Sequence, residues 1–79
     1  MSLTRYIRLI QQIDQLIRLK ATGPPKVFAE KLGISLSRWY EIKKSLIEEH
    51  DFPIAYDRYQ QTYYYTRSGK FFFEFEKEE

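Results

Sequence analysis

Few side chains in this sequence are of a kind that makes or breaks covalent bonds. His50 is the single histidine, there is no cysteine, and Gly23, Gly33 and Gly69 stand far apart. Glu49 and Asp51 flank His50 at the end of an expected helix, where they read as surface residues rather than as an acid–base pair. Scattered glycines make no phosphate-cradling loop. Without thiolates there is no disulfide framework and no cysteine metal site. The expectation is a protein with no enzyme activity, no metal and no cofactor.

The chemistry that remains is non-covalent contact with a polyanion. Ser35, Ser37, Arg38, Tyr40, Glu41 and Lys44 fall close together, and Arg58, Tyr59 and Gln60 follow in a polar turn. Hydroxyls, guanidinium and ammonium groups donate to phosphate oxygens or to base edges, while Glu41 accepts and repels phosphate. Residues 1–70 carry 12 Lys and Arg against 7 Asp and Glu, whereas residues 71–79 carry one Lys against four Glu. A basic body with an acidic tail favours a polyanionic partner. The same charges also serve to solvate an ordinary surface.

Elements must position these side chains, and the chain is short: 79 residues make one domain, 1–79. Such a chain buries only about 60% of the surface its unfolded form exposes, so its core must be dense. An aromatic content of 18% supplies that density. Tyr6, Leu9, Ile10, Ile13, Leu16 and Ile17 recur at helical spacing and predict a first helix over about 3–21, capped by Ser2. Thr22-Gly23-Pro24-Pro25 stops it. A second helix is expected over about 25–32, opened by proline. Gly33 provides the left-handed exit, and Ser35 caps a third helix over about 35–50.

Beyond Asp51-Phe52-Pro53 the pattern changes to aromatic and β-branched residues. Strands are expected at about 54–57 and 62–66 around the tip Asp57 to Gln61, with a third at 71–76 carrying Phe71, Phe73 and Phe75 on one face. The fold class is α+β: three helices, a hairpin and a C-terminal aromatic strand.

Val27 to Leu46 carries the most specific signal. A small residue, Ala29, stands four before Gly33. Phe28, Leu32 and Ile34 supply one apolar arm of a corner, and Trp39, Ile42 and Leu46 the other. This arrangement resembles the helix-turn-helix family. With the hairpin that follows, residues 4–66 are similar to the winged helix-turn-helix domains of small bacterial transcription regulators. The resemblance implies binding to double-stranded DNA, with the third helix in the major groove and the hairpin tip as a wing. Ser37 and Arg38 are then placed for base or phosphate contact, Tyr40 for a thymine methyl or a phosphate, and Lys44 for a phosphate. Glu41 accepts from a cytosine amino group, Ser35 offers its amide to a phosphate, and Arg58, Tyr59 and Gln60 reach the minor groove or backbone. The alternative function on the same scaffold is a protein-interaction module that does not bind DNA.

The aromatic residues from Tyr63 to Phe75 exceed what one face of a small hairpin buries. Either alternate rings cover the first helix, or the last strand pairs with a second copy in a homodimer. Arg5 and Arg8 interrupt the N-terminal apolar residues, and no stretch approaches the roughly 20 needed to span a membrane. The expected location is the cytoplasm.

Overall fold

The computed structural model describes residues 2–70. They form a small α+β fold: three helices, α1 (Leu3–Arg18), α2 (Pro25–Leu32) and α3 (Leu36–His50), then strands β1 (Ile54–Asp57) and β2 (Thr62–Tyr65). The expected third strand at 71–76 and the dimer contact assigned to it lie outside the described residues.

Each helix boundary has a local cause. The Ser2 hydroxyl accepts from the Arg5 amide at 3.2 Å and opens α1. Ser35 does the same for α3, accepting from the Arg38 amide at 3.0 Å, so that helix proper begins at Leu36 and not at 35. Pro25 occupies the first turn of α2, where its missing N–H is no loss. Gly33 ends α2 at φ 70°, while its amide and that of Ile34 bond back to the Glu30 and Ala29 carbonyls. α3 stops at Asp51, which takes φ 57°.

The sequence pattern overextends α1. Leu19, Lys20 and Ala21 are competent helix formers, yet the helix ends at Arg18. Lys20 adopts φ 52°, and the Lys20 and Ala21 amides turn back to the Ile17 and Leu16 carbonyls at 3.0 Å each. This early exit delivers Thr22 to the hairpin. Thr22 is fully buried, and its Oγ1 accepts from the Tyr63 amide at 2.8 Å while donating to the Gly23 carbonyl at 2.8 Å. The Thr62 hydroxyl stands 3.1 Å away and accepts from the Thr22 amide.

β1 and β2 pair antiparallel, with Ile54 opposite Tyr65 and Asp57 opposite Thr62. β2 ends at Tyr65 rather than 66, although the Thr66 amide still donates to the Pro53 carbonyl at 2.8 Å. The core joins Leu9, Ile10, Ile13 and Ile17 of α1 to Phe28, Ala29 and Leu32 of α2 and to Trp39, Ile42 and Leu46 of α3. Tyr63 closes it from the hairpin: its ring lies 5.2 Å from that of Trp39 and 5.7 Å from that of Phe28, and its hydroxyl accepts from Trp39 Nε1 at 3.1 Å. The Trp39–Tyr63 contact is edge-to-face, a geometry that adds attraction beyond area burial, and the Phe28–Tyr63 contact is tilted.

Candidate nucleic-acid interface

With Trp39, Ile42 and Leu46 turned inward, helical periodicity sends Ser37, Glu41, Lys44 and Glu48 to the opposite side of α3. All four are exposed. Tyr40 borders this face and is 43% exposed. The structure therefore gathers Ser37, Tyr40, Glu41 and Lys44 on one surface. Ser35 lies at its N-terminal edge, with its hydroxyl engaged by the cap. Arg38 sits one turn before Ile42, on the flank, and its Nη1 approaches Glu41 Oε2 at 3.3 Å. This exposed pair neutralises part of the charge that each residue brings. Ser45 is tied in the same way to Glu49 by a hydrogen bond.

Lys43 is a member of the surface that sequence reasoning missed. Its Nζ lies 5.0 Å from the Tyr40 ring centroid and 5.7 Å from that of Tyr63. Ring faces attract cations, so the ammonium is held where α3 meets the hairpin. No spacing rule in the sequence points to Lys43, because half of its aromatic setting comes from β2. Lys44 makes no ion pair among the described residues and stays free for a partner.

The hairpin tip is ordered by Asp57. Its Oδ1 accepts from the Tyr59 amide at 2.8 Å and from the Gln60 amide at 3.1 Å, and Gln61 takes φ 52° to re-enter β2. An aspartate bonding to amides two and three residues on is the Asx arrangement that fixes a turn. Arg58, Tyr59 and Gln60 are all exposed, and Tyr59 is 99% exposed. The wing residues expected from the sequence thus share one loop, two of whose amides are held by Asp57.

At the other end of the hairpin, Asp14 binds Arg18 Nε at 2.9 Å and accepts from the Tyr65 hydroxyl at 2.6 Å. Arg18 also donates to the Gly69 carbonyl at 2.7 Å. Burial, then the bond to Asp14, pushes the Tyr65 phenol well above its ordinary pKa. Asp14, Tyr65 and Gly69 of this cluster line a pocket of about 210 Å³ that also includes His50 and Arg67. The Asp14, Arg18 and Tyr65 side chains bond to one another and so lock α1 to the hairpin. Among the described residues no cluster of histidine and carboxylate is suited to a metal, and no helix is long and apolar enough to cross a membrane.

The geometry defines a small α+β domain with a helix pair joined through a tight turn and a hairpin beside its second helix. No protein-family model, curated protein or solved structure matches the chain.

Proposed function

We propose that this chain is a DNA-binding transcriptional regulator of the winged helix-turn-helix kind, acting in the cytoplasm. In this reading α3 enters the major groove and the 58–61 loop acts as the wing. The observation that carries the reading is the solvent face of α3: Ser37, Tyr40, Glu41 and Lys44 stand together on a helix anchored by Trp39, Ile42 and Leu46. A helix so seated presents a continuous row of donors and acceptors to a groove about 12 Å wide. If the aromatic C-terminal residues pair two copies, half-sites about 10 bp apart follow from the two-fold axis.

The test is a titration of random-sequence duplex at two salt concentrations. Phosphate contacts release counterions, so the observed constant falls as salt rises, by a log–log slope of about 0.9 per contact. Lys44→Ala is expected to weaken binding and flatten that slope. Arg38→Ala is expected to act less, because Arg38 is paired with Glu41. Glu41→Gln, which frees Arg38 and removes a repelling charge, is expected to tighten binding to random duplex. Binding that ignores salt, or that is unchanged in all three variants, would remove the proposal.

One observation favours the rival protein-interaction role: Leu36, Tyr40 and Ile47 lie exposed on one side of α3. That reading expects no salt-dependent binding to duplex DNA.

A further inference from the structure

A second groove, of about 270 Å³, lies between α1 and the turn that joins α2 to α3. Arg5, Arg8 and Gln12 line it from α1, and Gly33 and Ile34 from the turn, over a floor of Leu9 and Leu32. Among the described residues no carboxylate lines it. Both arginines are exposed, and neither guanidinium has a hydrogen bond or ion pair among the described residues. Arg18, on the same helix, is in contrast fully committed to Asp14 and the Gly69 carbonyl. Among the described residues the α1 arginines therefore divide into one that holds the fold together and two without a polar partner.

The position of Arg5 is also electrostatically costly. The N-terminal end of a helix carries a partial positive charge, which favours acidic residues there. The first turn of α1 has none and bears Arg5; the first turns of α2 and α3 have none either. Placing the Arg5 cation against that dipole is unfavourable and becomes favourable when an anion lies against it; Arg8, one turn further on, adds its charge to the same groove. The groove ends at Gly33 and Ile34, immediately before Ser35, the cap of α3.

We infer that Arg5 and Arg8 form a second site for the duplex, binding backbone phosphates beside the major groove that α3 enters. The ligand class is the phosphodiester. Guanidinium presents paired N–H donors to two phosphate oxygens, and the apolar floor strengthens the field by keeping water from one side. This inference rests on the DNA-binding reading and enlarges its footprint from α3 and the hairpin to α1. Contacts of this kind position the protein without reading bases.

The test compares wild type, Arg5→Gln/Arg8→Gln, Arg8→Gln alone and Lys20→Gln, which removes a cation at the far end of α1. Binding to random duplex is measured across a salt series, with circular dichroism melting to verify folding. The double variant is expected to lose roughly 1.8 from the log–log salt slope, about 0.9 per contact, and the single variant about half of that. The loss of affinity should be the same for every duplex sequence, and Lys20→Gln should leave the slope unchanged. If wild type binds with salt dependence and Lys44→Ala weakens it, but both arginine variants behave like Lys20→Gln, the phosphate site is refuted while the α3 reading stands. If wild type shows no salt-dependent binding, both are refuted.

Discussion

Replacing Thr22 by valine removes one oxygen and keeps the shape. In the native fold that oxygen is fully buried, accepts from the Tyr63 amide and donates to the Gly23 carbonyl. Valine leaves the Tyr63 N–H facing a methyl group, and a buried donor without a partner costs about 1–3 kcal/mol. Because the Gly23 carbonyl and the Thr62 hydroxyl also lose a neighbour, the upper part of that range is expected, about 2–3 kcal/mol. Serine keeps the hydroxyl and loses a methyl, which costs about 1 kcal/mol by transfer. Hydrophobicity alone orders the two variants the other way, so the ranking is diagnostic. In urea, with a denaturant slope of about 1 kcal/mol/M for a domain of this size, the valine variant should unfold at a midpoint lower by roughly 2 M. The slope itself should not change. A valine variant as stable as wild type, or more stable than the serine variant, would refute the account of how the hairpin is held to the helices.

Two further outcomes follow from backbone and burial. Lys20 sits at φ 52°, a conformation that costs a residue with a side chain about 1–2 kcal/mol and costs glycine almost nothing. Allowing for the freer unfolded chain, Lys20→Gly should raise stability by about 0.5–1 kcal/mol, seen as a rise of several degrees in melting temperature. Burial holds the Tyr63 and Tyr65 phenols above their ordinary value of 10.0. Unfolded tyrosine ionises near that pH and the folded residues do not, so stability is fully present below it and falls as pH climbs further. Tyr65→Phe should flatten the fall in urea midpoint between about pH 9 and about pH 11; an unaltered fall would mean that Tyr65 ionises freely in the folded state.

The α2–turn–α3 unit was legible because its demands are local. Gly33 must take a positive φ, Ser35 must cap, and the apolar residues of both arms recur at helical spacing. The α1 stripe was legible for the same reason. What escaped depends on partners distant in sequence. Nothing about Thr22 announces a hydroxyl that holds an amide 41 positions away. Lysine carries no signal for a left-handed conformation, so the early end of α1 at Arg18 could not be read. The outward face of α3 was predicted from periodicity, but the Arg38–Glu41 pairing and the seating of Lys43 between two rings required side-chain placement. Arg5 and Arg8 looked like solvated charge until the α2–α3 turn was brought against them.

Tyr63 bears on how far this domain can be treated as separable parts. A surface hairpin beside a three-helix body looks like an interchangeable attachment, one that could be exchanged between relatives to alter reach. Here the attachment supplies the lid. Its ring covers Trp39 and Phe28, and its hydroxyl satisfies the buried indole. Deleting or swapping residues 54–65 would open the interior of the helices rather than trim their periphery. A chimera therefore survives only if a tyrosine travels with the graft in the same register, opposite Tyr56. The side chains at 58–60, all exposed, can change without opening the interior; the strand behind them cannot.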